Sequence, residues 1–293
     1  MRILTLLVRH GISKYPDAVT DVQSFYSRQM PLADWDLVVI DNALPEDHVE
    51  RIGPQHVLIG GRNSDWEFSS WDSGIAYIGS RLLEYDFVHL ATSAFRTLYT
   101  RYLDRIDERM LALIRARAAA IGHIDYYPEP VVVQGVQSQA WLRSSFIFLP
   151  PVELMLLGSL VSCRDEATLF SDCEAVPFRG DAPVSENYRR YLLDWLTGEG
   201  TGQGVQWHSR FSITRETLPC LQQKIIAILN EHLLGIRLRA QGCSMVDATW
   251  LATRAKALPP AERCLGPIPS WRMQLAGRDR DPVSPALLLS KTS

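Results

Sequence analysis

The chain opens on a run of β-branched and leucine side chains, residues 2–8 (RILTLLV), the pattern of a buried strand. It stops at a turn, Arg9-His10-Gly11. Over residues 18–30 the period changes, and Val22, Phe25 and Tyr26 recur at helical spacing. Residues 34–41 (DWDLVVID) return to a strand pattern that ends on Asp41 and Asn42, and residues 55–61 (QHVLIGG) form another that ends on paired glycines. The spacing of Ile75, Ile78 and Leu82 predicts a helix over 72–83, with Asp72 or Ser73 as its cap.

Residues 85–93 (YDFVHLATS) read as a further strand. Residues 95–120 are rich in Arg, Leu and Ala with acidic residues interleaved, which predicts a long exposed helix or a helix pair. Strand patterns recur at 129–135 and 144–150 and fade beyond about residue 165, where 186–196 and 218–242 are helical. The stretch from about residue 265, with prolines and GRDRD, reads as loosely ordered. Strand, helix, strand, strand is the start of an α/β layer. It divides the chain into an α/β domain over 1–165 and a mainly helical region and tail over 166–293.

Composition narrows the class. Apolar residues make up 46% and charged residues 22% of 293, which excludes a disordered chain and allows a sizeable core. Thirty basic against 33 acidic residues leave a net charge of -3, so nucleic acid is not the expected partner. The five cysteines are odd in number and never spaced as CxxC, so neither a disulfide framework nor a zinc site is indicated, and a reducing cytoplasm fits. The first apolar run is too short for a secretory signal, and the run over 146–161 is broken by two prolines and Glu153, so no transmembrane span is expected.

Arg9-His10-Gly11 after a buried strand raises the chemistry of a histidine phosphatase, in which a histidine attacks phosphate. Such an enzyme needs a second histidine, normally in a His-Gly turn late in the chain. Of His10, His48, His56, His89, His123, His208 and His232, only His10 precedes a glycine. Ser93 and Arg96 in TSAFRTLYT do imitate a second phosphatase motif.

In a doubly wound sheet, ligands sit outside the carboxyl ends of the strands. The residues predicted there are Arg9, His10, Asp41, Asn42, Gly60, Gly61, Arg62, Asn63, Thr92 and Ser93, a polar and partly cationic set suited to a nucleotide diphosphate.

VVIDNALPED, GGRNSDWEFSSWDSGI and YDFVHLATS, in that order and spacing, resemble the nucleotide-sugar half of GT-A-fold glycosyltransferases of the kind that build bacterial polysaccharides. The resemblance covers about residues 1–150, and GVQSQAWLRSSFIFLP resembles the acceptor-facing loop and following strand of such enzymes. It implies a GT-A-like (Rossmann-like) mixed sheet flanked by helices, with a helical C-terminal region. By position, Asp41 would accept from the edge of the base with Asn42 beside it. Arg9 and His10 would flank base and ribose or reach a phosphate, Arg62 and Asn63 would hold diphosphate or sugar, and Asp72 the sugar hydroxyls. Plainer roles compete: Asp41-Asn42 as an Asx turn, His10 as a surface histidine, Asp72 as a helix cap.

The sequence departs from that family where Mn²⁺ or Mg²⁺ is normally held by a DxD carboxylate pair: those positions are Ala91 and Ser93. The resemblance therefore implies either metal-independent transfer, with Thr92, Ser93, arginines and backbone amides facing the leaving group, or a ligand such as Asp86 or His208 from elsewhere. An inverting transferase needs a carboxylate base on the acceptor side. Glu186, at a helix start after a proline-bearing loop, is the first candidate, with Glu153 and Asp181 behind it. Trp207 and His208 in VQWHSRF are placed to stack on a sugar and bind phosphate or metal.

The expected protein is thus a cytoplasmic glycosyltransferase working from a nucleotide-sugar donor onto a glycan or lipid-linked glycan of the bacterial surface. Contact with the membrane's inner face would be peripheral at most, and self-association stays open. A histidine phosphatase using His10 and a non-catalytic sugar-nucleotide-binding module are the alternatives.

Overall fold

The computed structural model describes residues 1–97, 102–163, 166–198, 212–259, 261–262 and 264–278. Its first strand, β1 (Arg2–Arg9), is buried from Ile3 to Val8, with the hydroxyl of Thr5 bonded to that of Tyr26 at 2.7 Å. Helix α1 (Ala18–Gln29) returns the chain to β2 (Asp34–Asp41), which pairs with β1 in parallel over its whole length, Arg2 facing Asp34 and Arg9 facing Asp41. A three-residue strand, β3 (Val49–Arg51), turns back against β4 (His56–Gly60), and β4 lies parallel to β2. Helix α2 (Trp66–Ile78) and a 3-10 segment (Gly79–Glu84) lead into β5 (Phe87–Thr92), which joins the other side of β1.

The second half of the sheet departs from the sequence expectation. Instead of a long helix over 95–120 there are a 3-10 turn (Leu103–Arg105), helix α3 (Glu108–Ile114) and a strand, β6 (Ala119–Gly122). Asp107 ends any longer helix by capping α3, its side chain accepting from the Met110 amide at 2.9 Å. Ala119, Ala120, Ile121 and Gly122 are all buried, and helix-forming alanines become strand by pairing within the sheet; at its end the space is tight, since a Cβ on Gly122 would lie 2.6 Å from Ile147.

Strand β7 (Ile124–Val133) then leaves the sheet and pairs with β8 (Val136–Leu142) as a separate hairpin. Its two-residue turn holds Gln134 and Gly135 at φ of 51° and 75°, the left-handed pair that matches the twist of a hairpin. The stretch expected as an acceptor-facing loop is therefore largely strand. Strand β9 (Phe146–Leu149) re-enters the sheet antiparallel to β5 and β6.

Helices α4 (Pro151–Leu157), α5 (Glu166–Leu169), α6 (Glu186–Thr197) and α7 (Leu218–Ala240) follow. The helical C-terminal region also returns a strand to the sheet, β10 (Ser244–Asp247), parallel to β6, before α8 (Ala248–Ala257) and α9 (Trp271–Arg278). The loosely ordered tail expected from residue 265 thus contains a helix. The completed eight-stranded mixed sheet runs β10-β6-β9-β5-β1-β2-β4-β3, flanked by helices.

Side chains of β1 alternate between two cores. Ile3 and Leu7 meet α1, α3 and α8 on one face, while Leu4, Leu6 and Val8 meet α2, α4 and α7 on the other. A third core gathers β7 from Tyr127 to Val133, Leu169 of α5, α6 and one side of α7 from Leu218 to Ile236. No helix of the described residues is long and apolar enough to cross a membrane.

Candidate functional site

Strands β2 and β4 lie on one side of β1 and β5 on the other, so connections leave the carboxyl ends of β1 and β5 in opposite directions, which makes this the switch point of the sheet. The loops at this point are tied together by main chain: the Asn42 amide donates to the Arg9 carbonyl at 2.9 Å, and the Ser93 amide to the Val8 carbonyl at 2.8 Å.

Asp41 anchors this edge. Its Oδ2 accepts from Arg9 Nε at 2.6 Å, and its Oδ1 accepts from the amides of Gly11 at 2.8 Å and Ala43 at 3.0 Å. The carboxylate is only 3% exposed. Burial alone would push its pKa up, but the two amides and the guanidinium outweigh burial and hold it below the ordinary carboxylate value. Gly11 takes the left-handed φ of 64° that directs its amide into this bond. Asp41, expected to read a base, therefore spends three bonds on the loops after β1 and β2, with the half-buried Arg9 held against it.

Asn42 is likewise braced. Its Oδ1 accepts from Ser70 Oγ on α2 at 2.8 Å, and its Nδ2 donates to Asn63 Oδ1 at 2.9 Å. The paired glycines after β4 make room for this: a Cβ on Gly60 would fall 1.7 Å from the Pro45 carbonyl oxygen, and one on Gly61 2.2 Å from Asn42 Oδ1. His10, Arg62 and Asn63 are exposed on the same edge, with Arg62 Nε 3.5 Å from Glu46. The structure thus brings Arg9, His10, Asp41, Asn42, Arg62, Asn63, Thr92 and Ser93 to neighbouring strand tips.

At the end of β5, Thr92 and Ser93 are half-buried, and the Thr92 amide donates to the Ser145 carbonyl at 3.1 Å. These hydroxyls are poor sole ligands for a hard divalent ion. Among the described residues no group of three or more His, Cys, Asp or Glu is placed to hold a metal. Asp86, at the opposite end of β5, accepts from the Arg2 amide and from Arg115. The described donor set therefore does not fit a resident Mn²⁺ or Mg²⁺.

Other sequence candidates lie elsewhere. Asp72 is not a cap, because α2 begins at Trp66, where the chain takes φ of 55°. Its carboxylate accepts from Ser159 Oγ at 2.6 Å and the Leu160 amide at 2.8 Å, tying α2 to the segment after α4. Glu186 is exposed at the start of α6, beside Ser185, whose amide donates to the Val132 carbonyl at 3.0 Å. Eight residues of strand separate Val132 from Ile124, carrying Glu186 roughly 25 Å out along the hairpin from the sheet. Asp181 pairs with Arg179 on the surface, and Glu153 is buried in α4. His208 and Trp207 fall outside the described residues.

The carboxylate that does reach the strand tips was not singled out by sequence. Helix α7 crosses this edge with Lys224 and Glu231 two turns apart on one face. Lys224 Nζ lies 4.6 Å from the Trp66 ring centroid, at the start of α2. Glu231 Oε1 accepts from the Ser144 amide at 2.5 Å, next to the Ser145 that holds Thr92. Burial pushes the Glu231 carboxyl up to about 7; the Ser144 amide pulls it down, and the negative charges of Asp125 and Glu67 add to the rise. Beside it, Asp125 accepts from Arg143 Nε at 2.8 Å and lies 3.3 Å from His123 Nε2. Despite burial, those two partners hold Asp125 far below the ordinary carboxylate value. The signal available in sequence was only one acidic residue in a mostly apolar helix.

The remaining histidines are dispersed. His89 lies in the core between Phe146 and Phe148, where burial lowers its pKa to about 3, and His232 is enclosed against Trp141 with the same shift and cause. His56 begins β4, at the far end of the sheet from His10. No protein-family model matches the chain, and no curated protein matches it in sequence.

Proposed function

We propose that the chain is a GT-A-like glycosyltransferase that uses a nucleotide-sugar donor and transfers the sugar to a glycan or lipid-linked glycan of the bacterial surface. The observation carrying this reading is the switch point between β1 and β5, where Arg9, His10, Thr92 and Ser93 stand at neighbouring strand ends beside the Asp41-Asn42 corner. A mixed sheet with parallel strands ending together is the architecture the sequence resemblance implies, and the switch point is where such sheets take nucleotides.

In this reading Arg9 and Arg62 supply positive charge for the diphosphate, and the hydroxyls of Thr92 and Ser93 donate to its oxygens as negative charge develops on departure. Asp41 keeps Arg9 and the Gly11 turn in place rather than touching the base. Asn42 sets the position of Asn63.

The test is a thermal-shift series with UDP, GDP, dTDP and CMP, with and without Mn²⁺, followed by donor hydrolysis with the nucleotide sugars of whichever base binds. A ligand that binds only the folded form raises the melting temperature, by mass action. Failure of every nucleotide to shift the melt rejects the proposal. A second reading, a non-catalytic sugar-nucleotide-binding module, is favoured by the carboxylate-free end of β5; it predicts a shift with no donor hydrolysis.

A further inference from the structure

We propose that Glu231 is the proton acceptor for the attacking hydroxyl at this site; the assignment rests on the glycosyl-transfer reading above. Placement carries it. Helix α7 brings Glu231 over the carboxyl edge of the sheet, and its bond to the Ser144 amide fixes it one residue from the Ser145-Thr92 contact that ends β5. The same helical stripe continues into Leu238, packed in the core beneath α2 and α4, so the helix cannot roll the carboxylate away from the edge.

Four aspartates of the neighbourhood are committed. Asp41 is neutralised by Arg9 and two amides, Asp125 by Arg143 and His123, Asp72 by Ser159 and Leu160, and Asp247 by Arg278 and the first amides of α8. A carboxylate held by a guanidinium is a weak base. Glu231 is surrounded differently: Glu67 of α2, Asp125 of β7, Arg143 just after β8, Tyr127 of β7 and Tyr188 of α6 are the titratable groups near it. Two negative charges and burial against one arginine raise its proton affinity toward neutrality, which suits a base that must take a proton near pH 7.

The step balances as one displacement. The acceptor oxygen forms its bond to the anomeric carbon while its proton passes to a Glu231 carboxylate oxygen. The bond from that carbon to the diphosphate oxygen breaks, and its electron pair leaves with the nucleoside diphosphate. Glu231 then returns the proton to water.

The experiment compares wild type, Glu231→Gln and Glu231→Asp for two readouts: thermal shift by the preferred nucleoside diphosphate, and release of that diphosphate from its sugar donor with water as acceptor, from pH 5 to 9. Glu231→Gln is expected to keep the nucleotide shift and lose at least 100-fold in release. Wild-type release should fall on the acid side with a midpoint near 7. Glu231→Asp, which keeps the carboxylate, should recover part of the rate and serves as the test should the glutamine variant not fold. Release by Glu231→Gln within about threefold of wild type, or a wild type that binds nucleotide but hydrolyses no donor, overturns the assignment while the binding site stands. A wild type that binds no nucleotide overturns the transferase reading itself.

Discussion

Arg278, the last described residue, reaches Asp247 at the end of β10, its guanidinium 3.0 Å from a carboxylate that is fully buried. Asp247 also caps α8 through the Thr249 and Trp250 amides and accepts from the Ile124 amide, so one side chain joins β10, the start of β7, α8 and α9. Removing one member of a buried ion pair strands the other. Arg278→Ala should therefore cost about 3–5 kcal/mol of unfolding free energy in a urea titration, with the slope unchanged. A loss under 1 kcal/mol would mean that α9 is only loosely attached.

The corner between β2 and β4 should be intolerant of any side chain. Gly61→Ala would place a methyl 2.2 Å from Asn42 Oδ1 and push Asn42 off Ser70 and Asn63. The expected cost is about 1–3 kcal/mol, the range for overpacking a tight site, together with a weakened nucleotide shift. Gly60→Ala, which would collide with main chain at Pro45 rather than a side chain that can rotate, should cost more. Paired melts of the two variants check the order.

Asp72 separates two roles. If it braces the segment after α4, as its bonds to Ser159 and Leu160 indicate, Asp72→Ala should lose about 1–3 kcal/mol of stability and leave the nucleotide-sugar shift as large as wild type. Selective loss of the sugar's contribution, measured as the difference between nucleotide and nucleotide-sugar shifts, would restore it as a sugar ligand.

The Asp41 pair makes a prediction at low pH. Its folded-state pKa lies below the unfolded value, so the stability it contributes is complete above about pH 4 and is lost as pH falls through the depressed folded value. Asp41→Asn removes that contribution. The stability gap between wild type and variant should be constant from pH 5 to 7 and narrow below pH 4 in guanidinium melts; a gap that widens on acidification would contradict the pairing with Arg9.

What could be read from the chain beforehand follows the length and purity of each apolar run. β1, β2 and β4 were legible because the apolar stretches of LTLLV, LVVI and VLIG leave no other buried solution, and their polar ends then marked Arg9, Asp41 and Gly61 as strand tips. β6 and β10 were not, because AAIG and SMVD are four residues each and become strands only by pairing within the sheet, β6 between β10 and β9 and β10 at the edge against β6. β8 alternates polar and apolar residues around Ser138 and Ala140, yet its partner is a single hairpin strand, so its apolar face answers to α7 rather than to a sheet core. The site divides the same way. Residues set by strand ends were found in order, whereas Glu231 depends on which way a helix crosses those ends, a relation between segments nearly 90 residues apart that no local spacing encodes.

Glu231 also links stability to pH in a direction opposite to Asp41. Burial pushes its carboxyl up to about 7, above the ~4.3 of an exposed glutamate, so the folded chain holds this proton more tightly than the unfolded one. The stabilisation is complete below about pH 4 and is lost as pH rises through 7, with a slope of at most about 1.4 kcal/mol per pH unit. Glutamine at 231 carries no such proton. Subtracting the unfolding free energy of Glu231→Gln from that of wild type should therefore give a difference that declines from pH 4.5 to 7 and levels off above 8. A difference that stays flat across that range would place the carboxyl at its ordinary value, and with it would go the reason for expecting proton uptake near neutrality at this edge of the sheet.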